Sequence, residues 1–370
     1  MSMVICSNKD CSLVQLKETT NPELLYTDYF YRSSTTDTMK NDLKKVVEKI
    51  QIHAPLNDND IVVDIGANDC TMIQYFPKTA KRIGVEPASN IDWSHVDSSI
   101  EIVNDFFPSI NFIASLNGNK VKNFTSCAMF YDLEDPSKFV SDISKTLDPD
   151  GIWILELSYL PLMLNQNAFD TIVHEHLEYY DLFTIEFLLS KYELKVIDVQ
   201  LNDMNGGSFR IFVQHQTKKI DEESLKRINS IRENEKKLKL DTNIPFNSFI
   251  EQINNEKEKL LKFIQNEVDN GKTIHGYGAS TKGNTLLQFY NLDKNLIPFI
   301  ADRNPDKWGR KTIGTDIKII SEEESHSINP DYYLILPWHF INEFKEREIN
   351  FLKNGGKLLL PLPKFQIIEK

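Results

Sequence analysis

The sequence predicts an α/β protein with two doubly wound parallel sheets, the second smaller than the first and joined to it by helices. Three observations carry this. Apolar, β-branched runs alternate with helical patterns twice, once from Ile61 to about Gln216 and again from Lys272 onward. Each series opens on a strand that runs into a small-residue turn, IVVDIGAND at Ile61 and KTIHGYGASTKGN at Lys272. Between them, from about Thr217 to Asn270, Lys, Glu, Asn and Asp dominate and leucines and isoleucines recur at helical spacing, the pattern of solvated helices that bridge two domains.

Composition sets the bounds. A chain of 370 residues is too long for one core and suits two domains with connectors. Hydrophobic residues at 41% and charged residues at 26% mark an ordinary globular protein rather than a disordered one. The net charge of −12 argues against a nucleic-acid-binding surface. Cys6, Cys11, Cys70 and Cys127 form no disulfide framework, which suits a reducing compartment. No apolar run approaches the roughly 20 residues of a membrane helix. The N-terminus lacks the basic start and apolar stretch of a signal peptide, so the expected location is the cytoplasm.

Residues 1–40 open with ICSNKDCSLVQL. Cys6 and Cys11 are two potential zinc ligands where four are usual, and no second pair follows. Tyr26, Tyr29 and Tyr31 then crowd together, either to pack the segment onto a neighbour or to line a polar pocket. A charged helical pattern runs from about Thr36 to Gln51. Ile61–Ile65 reads as a buried parallel strand, and Gly66 and Ala67 let a ligand approach the backbone. The next strand, KRIGVEPAS, ends in Glu86, about 20 residues on, the arrangement that holds ribose hydroxyls in dinucleotide sites. The turn is not GxGxxG. Its Asn68 and Asp69 suit a ligand without a pyrophosphate, such as S-adenosylmethionine, whose amino group wants a carboxylate. Strands follow near Ile100–Val103, near Ser126–Tyr131 and, after a helix and a DPDG turn, at Ile152–Leu157. Asp64, Glu86, Asn104, Asp132 and Glu156 all fall at strand ends, where such sheets bind ligands.

The stretch FDTIVHEHLEYYD follows, with His174, Glu175, His176 and Glu178 in one run. A carboxylate beside an imidazole raises its basicity and fixes its orientation, as a general base near neutral pH requires. TIEFLLSKYELKVIDVQ is a helix and a strand, and NGGSFRIFVQH returns antiparallel.

In the second series, Gly276, Gly278 and Gly283 bracket Ser280, Thr281 and Lys282 at the start of a helix. Amide hydrogens there point at an anion, and Lys282 adds charge. The strand ending at Asp302 leads into a loop with Arg303, Lys307, Trp308 and Arg310, suited to stacking a base and meeting phosphate. The strand DYYLILP ends at Trp338 and His339.

Taken in order, CSLVQL, YRSST, VDIGAND, GVEP, NDFF, LELSYL, FDTIVHEHLEYY, NGGSFRIFV, GYGASTKGN, IADRNPDKWGRK and LPWHF resemble the deoxysugar C-methyltransferase family over almost the whole chain. The resemblance implies a zinc-knuckle remnant at 1–40, a class I methyltransferase Rossmann domain at 41–216, a helical linker at 217–270 and a Rossmann-like nucleotide-sugar-binding domain at 271–370. It implies S-adenosylmethionine as cofactor, held by Asp64, Gly66, Asn68 and Glu86, with Asp105 and Phe106 near the adenine. His176 matches the family's base, Glu175 its partner and Tyr31 a substrate-pocket tyrosine. Ser280, Lys282 and Asn284 match phosphate-binding positions, and Arg310 and His339 join the expected nucleotide-sugar site. The sequence departs from the family at three places. The first cysteine pair of the zinc knuckle is missing, Val173 stands where members that methylate sugar C3 have a tyrosine, and Asp132 stands at a usual histidine. Two other readings stay open: a keto-sugar epimerase or isomerase using the same base, and a nucleotide-sugar-binding protein without chemistry.

Overall fold

A computed structural model describes residues 1–370, the side chain of Asn205 excepted. The chain divides into two compact units. The first holds Met1–Tyr159, His174–Asn202 and Ser208–Asp241, and the second holds Leu160–Val173, Asp203–Gly207 and Thr242–Lys370.

In the first unit the strands are β1 (Met3–Ile5), β2 (Val14–Leu16), β3 (Ile61–Ile65), β4 (Lys81–Val85), β5 (Ile100–Val103), β6 (Val121–Cys127), β7 (Leu147–Ser158), β8 (Glu178–Tyr179), β9 (Leu194–Asn202) and β10 (Ser208–His215). Seven of them form one sheet in the order β5-β4-β3-β6-β7-β10-β9, with β10 antiparallel to both its neighbours. Every residue of β3 is buried, as a strand covered on both faces requires. The helix Asp37–His53 is started by Thr36, whose side chain accepts from the Met39 amide, and it buries Leu43, Val46, Val47 and Ile50 along one stripe. That stripe joins Val62, Ile152 and Phe212 in one core. The topological switch point, where ligands bind in such sheets, lies between β3 and β6.

Three expectations need adjustment. The DPDG segment is not a turn ahead of the strand expected at Ile152: β7 already starts at Leu147 and absorbs these residues through a register shift against β6 between Val121 and Asn123. The chain's first residues form a small sheet in the order β1-β2-β8, in which Gln15 pairs with Glu178, so the N-terminal hairpin anchors the strand that follows the histidines. The helices of the polar stretch are not simply solvated. Glu222–Leu238 buries Ile228, Ile231 and Glu235 and belongs to the first unit, while Ile244–Asp269 buries Phe249, Ile253, Leu260 and Ile264 and belongs to the second.

The second unit has β11 (Ile274–Tyr277), β12 (Phe299–Asp302), β13 (Lys318–Ser321), β14 (Tyr332–Ile335), β15 (Lys357–Leu360) and β16 (Gln366–Ile368), in the order β13-β12-β11-β14-β15-β16 with only β16 antiparallel. Tyr277, Ala301, Tyr333, Ile335 and Leu358 form a buried core. Its switch point lies between β11 and β14. No described helix is long and apolar enough to cross a membrane.

Candidate active site

The first site grows from the turn after β3. Gly66 has φ +71°, and a Cβ there would come within 3.1 Å of Met129 Cγ, so the position needs glycine both for its backbone and for its space. The turn is locked from the next strand end. Glu86 Oε2 accepts the Asn68 amide at 2.7 Å and Oε1 accepts the Ala88 amide at 2.9 Å. The N-terminal segment closes over the same turn. The Asn68 side chain donates to the Tyr31 carbonyl and accepts from the Ser33 amide, both at 3.0 Å, and Asp69 Oδ2 accepts the Ser34 amide at 2.9 Å. Asp64 is buried, accepts from the Thr125 hydroxyl at 2.7 Å, and is pushed up to about 7, chiefly by burial and further by Glu86 and Asp69. Asp64, Gly66, Asn68 and Glu86 are thus brought together. Asp105 and Phe106 follow β5: Asp105 accepts the Phe106 amide at 2.8 Å, and the Phe106 ring is exposed. A turn ringed by the buried acids Asp64, Asp69 and Glu86 fits a cationic ligand that also carries an amino group and ribose hydroxyls, which is the chemistry of S-adenosylmethionine.

The histidine run lies in the same unit. His174 is exposed, Glu175 half-buried and His176 buried. The His176 ring packs 4.3 Å from the ring of Tyr131, in the short turn Phe130–Asp132 that follows β6, and the Leu177 amide donates to the Tyr131 carbonyl at 2.8 Å. The Tyr26 hydroxyl donates to the Glu175 carbonyl at 3.3 Å and also meets the carboxyl of Asp132. The far end of the run is clamped by Glu235, which accepts the Tyr159 hydroxyl and the Leu182 amide, each at 2.7 Å, and the Phe183 amide at 3.1 Å. Burial, then Asp181, pushes Glu235 up to about 7, and Glu178, on β8, is pushed up to about 9 by burial. The sequence pattern groups the tyrosines but cannot join Tyr26 to Glu175, which is 149 positions away along the chain.

In the second unit, Ser280 caps the helix Thr281–Tyr290 by accepting the Gly283 amide at 3.0 Å, so Ser280, Lys282 and Asn284 lie in its cap and first turn. Gly278 has φ +86°, and a Cβ there would lie 2.7 Å from the Pro337 ring. The turn after β11 therefore lies close against the segment after β14, at the switch point. His339 is half-buried there and pushed down to about 3, by burial first and by Lys282 second. Asp170, missed in the sequence, is buried, accepts the Trp338 indole N–H at 2.9 Å and is held up by burial against the pull of Lys282. Its only sequence signal was its place beside the histidine run. Arg310 is exposed, on the hairpin arm that pairs with Ile319.

Cys6 and Cys11 are within hydrogen-bonding reach of each other. Among the described residues, no group of three or more His, Cys, Asp or Glu side chains has a metal-holding arrangement.

Residues 203–363 match the family described as C-methyltransferase C-terminal domain. The whole chain is similar to C-methyltransferase NovU of Streptomyces niveus, with 29% identity over 373 residues, covering 100% of this chain and 87% of that one. Solved structures that resemble part of it include an S-adenosylmethionine-dependent methyltransferase from Clostridium acetobutylicum, at 13% identity and a TM-score of 0.39 over 49% of this chain and 93% of that one. Another is the magnesium protoporphyrin IX methyltransferase of Synechocystis, at 12% identity and a TM-score of 0.35 over 47% of this chain and 78% of that one. The whole-length likeness and the family match are both to C-methyltransferases and support a methyltransferase, built here on the doubly wound sheets described above.

Proposed function

We propose that the chain methylates a carbon of a nucleotide-linked 4-keto-deoxysugar, with His176 as the base. The observation that carries this is the packing of a buried imidazole on Tyr131, in the short turn that follows β6, one strand from the S-adenosylmethionine turn of β3. A carbon is a poor nucleophile until a proton beside a carbonyl is removed, and a 4-keto sugar offers such protons at C3 and C5. His176 takes one of them; Glu175 orients the ring and stabilises the imidazolium. Asp64, Gly66, Asn68 and Glu86 hold the cofactor, with Asp105 and Phe106 toward its adenine and Tyr31 toward the sugar. When bound, S-adenosylmethionine supplies an electrophilic methyl group.

The second unit binds the nucleotide. Its helix N-terminus, with Ser280, Lys282 and Asn284, takes the phosphates. His339 lines the same switch point, and Arg310 reaches the nucleotide from the basic loop. Likeness to a named C-methyltransferase supports transfer to carbon, and the cation-bearing turn supports an anionic carrier.

The test is mass spectrometry of a panel of dTDP- and UDP-linked 4-keto-deoxysugars incubated with protein and cofactor. One added methyl on any member is the expected result. A panel in which no sugar gains mass, although the protein binds both cofactor and nucleotide, rejects the proposal.

A further inference from the structure

We propose that Asp132 is a second catalytic group of this site: its carboxyl hydrogen-bonds the carbonyl oxygen of the keto substrate and holds the negative charge that collects there as the enolate forms. The inference rests on the reaction proposed above and adds to it the group that receives the developing charge.

Asp132 closes the short turn Phe130–Asp132 directly after β6, its amide donating to the Met129 carbonyl at 3.1 Å. Two nearby residues of this segment belong to the site. Met129 is the side chain that a Cβ on Gly66 would strike, and Tyr131 carries the His176 ring. Three residues thus run from the cofactor turn, past the base, to this carboxyl. The Tyr26 hydroxyl meets the carboxyl, and Oδ1 is buried with no hydrogen-bond partner. A buried polar atom left in that state calls for an explanation.

The surroundings supply one. The titratable groups around the carboxyl are Tyr26 and Tyr29 from the N-terminal segment, Tyr131 from its own turn, Glu175 from the histidine run and Glu178 from β8, with the His176 imidazole beyond them against Tyr131. Among them only the imidazole can carry positive charge. Burial first, then Glu175 and Glu178, holds Asp132 well above the usual carboxylate range, which favours its protonated form. A protonated Oδ1 is a donor that lacks an acceptor. A ketone oxygen provides one, and it becomes a stronger acceptor as the reaction proceeds. A buried acid kept neutral so that it donates to a forming enolate has precedent in enzyme chemistry.

The step balances. His176 takes the proton from the carbon beside the carbonyl. The C–H electron pair becomes the carbon–carbon double bond, and the carbonyl π pair moves onto oxygen. Asp132 keeps its own proton and shares it with that oxygen until the carbon forms its new bond and the carbonyl returns.

The experiment uses the full-length protein without cofactor, in D2O, with dTDP- and UDP-linked 4-keto-6-deoxyhexoses as probes, and follows by NMR the loss of the C3 and C5 proton signals. The parent is expected to exchange one of these positions above background. Asp132→Ala is expected to slow exchange by about 10²–10³, the usual cost of removing one donor to an oxyanion. Asp132→Asn keeps a donor and is expected to stay within about tenfold of the parent. It should also lose the fall in rate that the parent shows as pH rises and Asp132 ionises. Cofactor affinity by calorimetry and the melting temperature, unmoved in the Asn variant, separate this role from a structural one. Exchange by Asp132→Ala within about threefold of a working parent, or an Asn variant as slow as the Ala variant, overturns the role of Asp132 and leaves the proposed function standing. A parent that exchanges nothing in any probe overturns both.

Discussion

The two sheets present nearly the same topology and opposite chemistry. Each has a first strand whose turn opens on a glycine of positive φ, Gly66 or Gly278, and a second strand ending in an acid that accepts an amide of that turn. Glu86 takes the Asn68 amide at 2.7 Å, and Asp302 takes the Ala279 amide at 2.7 Å. The scaffolds differ in what surrounds that acid. Around Glu86 stand Asp64 and Asp69. Around Asp302 stands Lys307, whose ammonium bonds both the carboxylate at 3.3 Å and the Ala279 carbonyl at 2.6 Å, with Lys282 on the adjoining helix. One edge gathers acids; the other offsets its acid with a lysine. Topology chooses where a ligand binds, and the residues at the strand ends choose which ligand.

The largest expected effect is on the chemistry of the acidic edge. His176→Ala should lower turnover by about 10²–10⁴ while cofactor affinity by calorimetry stays at the parent value. A variant that turns over near the parent rate would remove the base from the first site altogether. Next, Lys282→Ala should weaken binding of dTDP or UDP about 10- to 100-fold through loss of a charge-assisted bond. S-adenosylmethionine affinity should not move, and equal losses of both ligands would mean that the two edges are not separate binding sites. Gly66→Ala forces a left-handed backbone and a methyl group against Met129, and the strain should cost about tenfold in cofactor affinity and nothing in nucleotide affinity.

The smallest effect is a pH dependence of stability. Glu178 binds its proton up to about 9 in the folded chain, against an ordinary 4.5. Between those values the unfolded chain has lost a proton that the folded chain keeps, so this group makes the fold less stable as pH rises. The melting temperature of Glu178→Gln should therefore fall less between pH 5 and 9 than that of the parent, by a few degrees at most. Identical slopes would mean that Glu178 is ionised in the folded state.

Much of this was legible in the residues. The β-branched run Ile61–Ile65 and the glycine after it placed the first turn, because a strand buried on both faces has to be continuously apolar and only a small residue lets a ligand reach the backbone. The apolar run Tyr332–Ile335 and the glycines from Gly276 to Gly283 did the same for the second. Errors came where local pattern and tertiary context disagree. DPDG has turn chemistry, yet it lies within β7 because a register shift lets the pairing continue across it. The stretch from Thr217 to Asn270 looks solvated because its surface is charged, yet each helix has a stripe that packs into a core.

The sequence by itself determined the order of strands and turns and the sign of charge at each strand end, since these depend on residues within one or two turns of one another. The tertiary structure alone decided the partnerships: Tyr26 with Glu175, Glu235 with the Leu182 amide, Trp338 with Asp170. These bonds join residues 149, 53 and 168 positions apart. A hydrogen bond acts over about 3 Å and leaves no periodicity along the chain, so only the folded backbone can bring such groups within its reach.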